Sequence, residues 1–429
     1  MQFGRNVGQC GHLRAIIAAG GLIFVMLSTT DAREWRLRAD GSGDVPTIVA
    51  AIDSAAAGDT LRLSAGVYLA SVHGVVGDRT AYIVPRRLAI IGAGADSTTL
   101  DGEGNRRIAI ALDTLFLSRV TIQNGYAPIQ PSAGVTMGSG GTVKSCRFIN
   151  NYAFDSIGGA LAVENGEVAD CEFIGNGTFG SGGAVILSGG SVRRCRFLEN
   201  YCVGDPSGRG GALWMTNSEV VDSYFERNSA VGLFGGRGGA VWAELSRAER
   251  CIFIDNQAVA QSDGVGQGGA LALALSTALE CMFFGNEVVG DGDPGGGAIY
   301  AFTDRSIISH CTLLGNSSGV IGATVDHSLV VDCRAGPAFA DAAVACIGVW
   351  QNPIPDTNTR IQGPMLLAEP RFCSGDPIAN RDVSLRADSP FAVYGDCGLV
   401  GAAAVRCGVK ATERRSWGEL KRVFRGEKK

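Results

Sequence analysis

Apolar residues alternate with variable ones in short stretches that return every 24 to 30 residues along most of the chain. After each Gly-Gly-Ala, the first and third positions are apolar and the second varies, as in Leu161/Val163 and Leu213/Met215. Alternation with a period of two is the pattern of a β-strand with one buried face. The chain is therefore predicted to consist of many short strands.

These stretches belong to a repeat, Cys-x-Phe-x-x-Asn followed by Gly-Gly-Ala. In the first five copies the alanine lies eleven residues before the next cysteine (Ser223 in one copy), whereas the asparagine lies six to twelve residues before the next Gly-Gly. A unit of this length suits one turn of a solenoid. We predict an all-β fold, a single right-handed parallel β-helix with an N-terminal capping helix and a C-terminal cap. The variable segment is a loop on one edge.

Equivalent positions of successive turns should stack about 4.8 Å apart. The cysteine column comprises Cys146, Cys171, Cys195, Cys251, Cys281, Cys311 and Cys333. The asparagine column comprises Asn151, Asn176, Asn200, Asn228, Asn256, Asn286 and Asn316. We interpret both as structural ladders. The thiols should be buried and free, because stacked Cβ atoms are too far apart for a disulfide, and the amides should bond along a column of turns.

The Gly-Gly-Ala-[Ile/Leu/Val] and Phe-x-x-Asn tetrapeptides, over about residues 134–316, resemble the repeats of polymorphic outer-membrane proteins. The passenger regions of that family are surface adhesins. The resemblance covers the repeat only, since the C-terminal barrel of that family finds no room after residue 340.

The segment from Asp40 to Tyr68 resembles the entry to the pectin-lyase-like superfamily, where an amphipathic helix caps the first coil. Here Asp44 is a candidate cap and Pro46 suits the first helical turn. One face of the helix would carry Ile48, Ile52 and Ala55.

The chain is predicted to have four parts. Residues 1–32 form a signal peptide with an apolar run at 15–27, so the protein is expected to be exported to the periplasm, the cell surface or the medium. Residues 33–340 form the β-helix, with an N-terminal cap at 40–68 and repeat coils at 134–333. Residues 341–409 form closing coils or a cap. The basic tail 410–429 either contacts an envelope component, the one indirect route to a membrane, or is a frayed terminus.

Five further cysteines follow the predicted signal peptide. Cys202 falls in a loop. The plausible disulfide set is Cys346, Cys373, Cys397 and Cys407, and the sequence leaves their connectivity open.

The position before each ladder cysteine alternates in charge along the chain. This column reads Asp170, Arg194, Asp222, Arg250, Glu280 and His310, and a second column reads Arg147, Glu172 and Arg196. One hypothesis is that stacked opposite charges support the register of the coils. The other is an acid–base site, but the signatures of the pectin-lyase-like enzymes are absent. No catalytic residue is assigned.

The outward position between the two buried aliphatic residues reads Trp214, Trp242, Ala272 and Tyr300 in four successive coils. Exposed aromatic rings along one face pack well on sugar rings, so this strip is a candidate glycan site. Neighbouring loops add Phe234, Arg209 and Arg237. The alternative is that the loops cover these rings. Asp291 and Asp293 offer a short oxygen-ligand pattern for Ca²⁺, and no other cofactor is predicted.

We therefore expect a secreted or cell-surface protein that binds a polysaccharide or cell-surface glycan without catalysis, in the manner of an adhesin. A polysaccharide lyase or glycoside hydrolase of pectin-lyase-like fold is the first alternative, and a structural envelope protein is the second. The net charge of −5 argues against nucleic acid, and against polyanionic glycans unless Ca²⁺ bridges them.

Overall fold

The computed structural model describes the chain from residue 32 to residue 402 and the backbone of three terminal strands. The gaps are residues 76–78, 130, 139, 291–294, 353–357, 375, 378–379, 381 and 393–394. The terminal strands are Ile16–Ala18, Gly21–Ile23 and Val405–Cys407. Most of the predicted signal peptide, the proposed Ca²⁺ ligands Asp291 and Asp293, and the basic tail 410–429 lie outside the described residues.

The alternating stretches form strands that wind around one axis. Within one repeat the chain passes through Glu167–Ala169 of sheet I, Glu172–Ile174 of sheet II, Gly177–Ser181 of sheet IV and Val185–Ser188 of sheet III. Each strand of these sheets pairs in parallel with the equivalent strand of the next coil. The predicted right-handed parallel β-helix is confirmed.

Sheet I has 14 strands: Glu34–Leu37, Thr60–Leu63, Leu88–Gly92, Leu115–Ser118, Thr142–Lys144, Glu167–Ala169, Ser191–Arg193, Glu219–Val221, Arg247–Glu249, Thr277–Leu279, Ile307–Ser309, Thr324–Asp326, Ala343–Ala345 and Arg360–Ile361. Sheet II has 13: Gly66–Leu69, Thr98–Asp101, Thr121–Gln123, Arg147–Ile149, Glu172–Ile174, Arg196–Leu198, Tyr224–Glu226, Ile252–Ile254, Met282–Phe284, Thr312–Leu314, Leu329–Val331, Ile347–Trp350 and Met365–Leu367.

Sheet III has 11 strands: Thr80–Val84, Arg107–Ala111, Val135–Met137, Leu161–Glu164, Val185–Ser188, Leu213–Thr216, Val241–Glu244, Leu271–Ala274, Ile299–Ala301, Val320–Ile321 and Phe339–Ala340. Sheet IV has seven: Tyr126–Ala127, Tyr152–Ile157, Gly177–Ser181, Tyr201–Gly204, Ser229–Gly232, Gln257–Ala260 and Glu287–Val289. Two smaller pairs are Ile16–Ala18 with Gly21–Ile23 and Leu385–Arg386 with Val405–Cys407.

The helix at the N-terminal end spans Ile48–Ser54, and its predicted apolar face is buried. Its cap is Thr47, whose hydroxyl accepts a hydrogen bond from the Ala50 amide at 3.1 Å. The prediction of Asp44 as the cap is wrong, because that carboxylate accepts from the Arg36 amide instead. Pro46 accordingly lies just before the helix and not in its first turn. Two shorter helices span Ala70–His73 and Gly395–Cys397.

Phenylalanine side chains from the strands of sheet II form one continuous stack inside the core. Neighbouring rings are nearly parallel, with centroids 4.7 to 5.0 Å apart, and all are fully buried. The stack comprises Phe148, Phe173, Phe197, Phe225, Phe253 and Phe283. Because each ring touches the ring above and below it, the coils are locked in register by packing as well as by backbone hydrogen bonds.

The asparagine column runs along the corner that follows sheet II, and all seven side chains are buried. Each of the first six donates from Nδ2 to Oδ1 of the asparagine one coil on, at 2.9 to 3.0 Å. The same Nδ2 also donates to a backbone carbonyl of the preceding coil, Phe148 in the case of Asn176. Every amide is thus satisfied inside the wall of the helix, as buried polar groups require.

The cysteine column lies at the corner between sheets I and II. All seven thiols of the column and the thiol of Cys202 are buried, and none of them is in a disulfide. The Cys195 thiol donates to the carbonyl of Val168, 3.5 Å away in the preceding coil. Ser223 occupies the same position and donates to the Val221 carbonyl at 2.9 Å. The column therefore accepts either a thiol or a hydroxyl that bonds to backbone.

The charged column sits at the same corner, where the backbone takes positive φ, as at Asp170 (φ 55°) and Arg194 (φ 51°). Arg194 pairs with Asp170 at 2.7 Å, and Arg250 pairs with Asp222 at 2.7 Å. The hydrogen bonds that Arg194 donates to Asp170 raise the pKa of the Arg194 guanidinium. In the second column, Glu172 pairs with the arginines on either side. These carboxylates are held by arginines, which favours the register hypothesis over an acid–base site.

The C-terminal segment differs from a simple end cap. Strands as far as Met365–Leu367 continue the coils, and the chain then folds back onto the outer face of sheet II. There Phe391 and Leu385 bury outward side chains of the last coils, including Phe284 and Leu314. A disulfide joins Cys346 to Cys397, and Cys373 is also disulfide-bonded.

Among the described residues, no helix has the length and hydrophobicity that a membrane crossing requires.

Candidate functional site

The predicted aromatic strip lies on sheet III, where Trp214 pairs with Trp242, and Ala272 separates Trp242 from Tyr300. Trp242 is only 5% exposed, and the indole nitrogens of both tryptophans are buried without a hydrogen-bond partner. The prediction of an open strip is therefore wrong at Trp242. Trp214 and Tyr300 are half-buried.

Phe302, which the sequence analysis did not single out, fills the gap between the rings of Trp242 and Tyr300. Its centroid lies 5.1 Å from Trp242 and 4.8 Å from Tyr300. Ala272 and Ala274, in the coil between, leave the space that this ring needs. Phe302 therefore bridges two coils and turns separate rings into one packed cluster.

Two arginines lie over this cluster, from the corner between sheets IV and III. The Arg209 guanidinium carbon is 5.1 Å from the Trp242 ring centroid, and that of Arg237 is 5.2 Å from Phe302. The two arginines face each other in adjacent coils. Burial, and then the charge of Arg209, lower the pKa of Arg237. The sheet III cluster, as we call Arg209, Arg237, Trp242, Tyr300 and Phe302, is thus cationic and partly desolvated.

The pairing of the other arginines in this region sets these two apart. Nine arginines occur between residues 147 and 250, and seven of them have a carboxylate within 4 Å. Arg209 and Arg237 have no such carboxylate among the described residues. Phe234, predicted to belong to the site, is 62% exposed on a nearby loop and shares no ring contact with the cluster.

A second row of aromatic side chains, missed by the sequence analysis, lies on sheet IV. The Tyr126 and Tyr152 ring centroids are 6.4 Å apart with planes 16° apart, and those of Tyr152 and Tyr201 are 6.3 Å and 30° apart. Tyr201 is 39% exposed and the other two are half-buried. We call these three residues the tyrosine strip. Partial burial raises the pKa of Tyr152 and Tyr201, so both phenols remain neutral at physiological pH.

A glycine allows the tyrosines to meet. Gly177 lies between Tyr152 and Tyr201 in the register of sheet IV. A Cβ atom at Gly177 would fall 2.3 Å from the Tyr201 ring. Tyr201 therefore lies over Gly177 and reaches the ring two coils away, which makes the strip continuous. Phe154 and Phe179, both exposed, stack beside it with centroids 5.8 Å apart.

The strip ends in an open pocket of about 480 Å³. Its lining includes the carboxylates of Asp101 and Glu103 and the amides of Asn124 and Asn150. Asp101 is oriented by Asn124, whose Nδ2 donates to Oδ1 at 3.1 Å. Glu103 accepts from the Ser71 amide at 2.7 Å. Flat rings beside fixed carboxylates and amides form a surface that combines apolar contact with hydrogen bonding.

A larger groove of about 820 Å³ runs along the corner between sheets III and I. Its lining includes Asn165, Asn217 and Arg247 and contains no aromatic ring. It offers hydrogen bonds without a stacking surface, so it is the weaker candidate for a sugar chain.

Comparison with solved structures gives matches of low sequence identity. A PL6-family alginate lyase mutant is 12% identical with a TM-score of 0.46, over 88% of this chain and 59% of that one. A mannuronic-acid-specific family 6 polysaccharide lyase from human gut microbiota is 9% identical with a TM-score of 0.41, over 79% of this chain and 83% of that one. A pectate lyase is 11% identical with a TM-score of 0.42, over 88% and 97%.

No protein-family model and no curated protein matches the sequence. The chain spans about 59% of the length of the alginate lyase. The likeness to the repeats of polymorphic outer-membrane proteins thus stays a prediction. The structure itself supports the coarser description, a parallel β-solenoid.

Proposed function

We propose that the protein binds a neutral polysaccharide along the tyrosine strip, as an adhesin-like protein and without catalysis. The observation that carries this proposal is the row of partly exposed, roughly parallel rings of Tyr126, Tyr152 and Tyr201 on one face of sheet IV. Three coils separate its ends, about 14 Å at one rung per coil. A strip of this length suits an extended chain better than a single sugar.

The strip can contact both the apolar C–H faces and the polar hydroxyl groups of a sugar ring. The C–H faces of a pyranose pack on aromatic rings, and its hydroxyl groups bond to carboxylates and amides. Asp101 and Glu103 provide acceptors at the end of the strip. Their negative charge, within a chain of net charge −5, disfavours an acidic glycan at this site.

A second candidate is an acidic glycan at the sheet III cluster. Two guanidinium groups without carboxylate partners among the described residues favour it, since arginine pairs readily with carboxylate and sulfate groups. In this case Trp214 and Phe234 border the ligand, as the sequence predicted. The polysaccharide lyase or hydrolase and the structural envelope protein remain the alternatives from sequence.

A depletion assay separates these candidates. The full chain is mixed with insoluble neutral polysaccharides and, separately, with immobilised polygalacturonate, and unbound protein is measured. We expect retention on a neutral polymer, and at least about tenfold weaker binding in Tyr152→Ala and Tyr201→Ala, the loss of one aromatic hot spot each. Phe116→Ala, which removes an exposed ring from sheet I, is the matched control and should bind normally.

Other outcomes decide against the proposal. Retention on polygalacturonate that is lost in Arg209→Ala and Arg237→Ala favours the acidic-glycan candidate. Release of unsaturated or reducing ends during the incubation identifies an enzyme. Unchanged binding in both tyrosine variants excludes the tyrosine strip.

A further inference from the structure

Two of the four histidines of the chain stack at the corner between sheets I and II. The His310 and His327 rings, in adjacent coils, have centroids 4.7 Å apart and planes 5° apart. Both residues take positive φ, 52° and 44°, which turns their side chains to the same side of the corner. This corner continues the charged column described above, on a different face from the tyrosine strip.

A carboxylate joins the pair. Asp326 ends a strand of sheet I and directly precedes His327, with Oδ2 3.7 Å from the His327 Nδ1. His310, Asp326 and His327 each offer one atom that could bind a metal ion, and these three atoms lie within 4.8 Å of one another. All three residues are half-buried.

Two polar atoms of these residues make no hydrogen bond among the described residues. Asp326 Oδ1 and His327 Nδ1 are buried from solvent and make no hydrogen bond. Buried polar atoms are normally satisfied, so each such atom calls for an explanation, and a missing ion is one of the ordinary ones. Here both unsatisfied atoms belong to the same cluster.

The surroundings hold the cluster in place. The Ser309 hydroxyl lies 2.9 Å from His310 Nδ1, which orients the ring and leaves Nε2 available. The Gly401 amide donates to the His327 carbonyl at 2.8 Å. Cys346 occupies the same corner one coil after His327, and its disulfide to Cys397 fastens the C-terminal segment beside the histidines.

We propose that His310, Asp326 and His327 bind one Zn²⁺ ion. Two imidazoles and a carboxylate form a donor set that zinc accepts, with a fourth position left for water or a further ligand. Zinc bonds of about 2.0–2.2 Å bring neighbouring donor atoms to roughly 3.4 Å. The parallel imidazoles must therefore tilt towards the ion, and their half-exposed side chains have room to do so. Calcium prefers six to eight oxygen ligands and does not suit this set.

Isothermal titration of the chelator-treated full chain with ZnCl₂ and with CaCl₂ tests the site. We expect one Zn²⁺ per chain, bound with the same affinity when CaCl₂ is present, and at least tenfold weaker zinc binding in His310→Ala, His327→Ala and Asp326→Asn. Asp304→Asn, an exposed carboxylate on a nearby turn, is the matched control. Zinc affinity that is unchanged in the His310→Ala/His327→Ala double variant overturns the proposal, as does a wild-type chain that binds no zinc.

A second measurement does not depend on the folding of variants. Wild-type protein is treated with diethyl pyrocarbonate, with and without ZnCl₂, and the modified histidines are located by mass spectrometry. We expect zinc to protect His310 and His327 at least severalfold and to leave His73 unchanged. Equal modification of His310 and His327 with and without zinc contradicts the proposal.

Discussion

Asn228 donates from Nδ2 to Oδ1 of Asn256 at 2.9 Å, and both side chains are fully buried. The Asn228 side chain also donates to the Phe197 carbonyl and accepts from the backbone and side-chain nitrogens of Asn200. One amide therefore fastens three coils.

Asn228→Ala should lower the free energy of unfolding by about 3 kcal/mol or more, because it leaves buried groups of three coils without partners. Urea denaturation followed by circular dichroism measures the change. Gln257→Ala removes an exposed amide from the neighbouring coil and should shift stability by less than about 0.5 kcal/mol. Equal stability of the two variants would show that the asparagine column contributes little.

The buried thiols should be unreactive in the folded protein. Burial raises the pKa of Cys202 to about 12, and burial likewise raises the pKa of Cys251. The eight thiols that lie outside disulfides among the described residues are all buried from the reagent, so iodoacetamide at pH 8 should label none of them before unfolding. At Cys202 and Cys251 the raised pKa also keeps the nucleophilic thiolate scarce. In urea without reductant all eight should be labelled, and Cys346 and Cys397 should not. Mass spectrometry that finds ladder cysteines in disulfides would contradict the structure.

Asp59, in the N-terminal coil of the β-helix, should make the stability of the protein depend on pH in the acid range. Burial alone raises the pKa of this carboxyl, but donors from Trp35 Nε1 and from the Arg33 and Ala56 amides outweigh it and hold the pKa below its usual value. A lowered pKa gives stability that is complete above the ordinary aspartate pKa of about 4 and is lost as the pH falls through the folded value.

Wild type should therefore exceed Asp59→Asn in stability above about pH 5, and the difference should shrink towards pH 2. Denaturant titrations at several pH values, read from tryptophan fluorescence, measure it. Asp113→Asn, an exposed carboxylate, is the control. A difference that stays constant with pH would show that the Asp59 carboxyl has an ordinary pKa.

Gly177→Ala should disrupt the tyrosine strip without removing any aromatic ring. The added methyl group meets the Tyr201 ring at 2.3 Å and must displace it. If the strip binds polysaccharide, affinity should fall severalfold in the depletion assay. Gly138→Ala places a methyl group on an exposed turn with only one neighbouring atom, at 3.7 Å, and should bind as wild type does. Loss of binding in Gly138→Ala as well would indicate a general defect.

The architecture could be predicted from the sequence because the residues that define each coil lie close together along the chain. Cysteine, phenylalanine and asparagine recur at fixed distances within each coil, so their stacking follows once a solenoid is assumed. The sequence predicts the helix cap at Asp44 and the structure has it at Thr47, because both residue types are good caps and the sequence does not show that the Arg36 amide engages Asp44.

The candidate site was less predictable because its neighbours come from different coils. The alternation within its own strand predicts that Trp242 faces solvent. In the structure Phe302, two coils further on, and Arg209, one coil earlier, pack against its ring. Tyr152 and Tyr201 each directly follow a ladder asparagine, so the repeat places them in one column, and that signal could have found them. The repeat does not show that the Tyr201 ring passes over Gly177 to reach Tyr152, which only the structure reveals.

The alternating column of charges has a consequence for how the coils find their places. Neighbouring coils are nearly interchangeable, since each offers the same phenylalanine and asparagine to the next. A chain that skipped one coil while winding up would still stack these residues, but it would set Asp170 beside Asp222 and Arg194 beside Arg250. Only a skip of two coils restores opposite charges. The alternating charges therefore distinguish odd-numbered coils from even-numbered coils, whereas the phenylalanine and asparagine columns are the same in every coil.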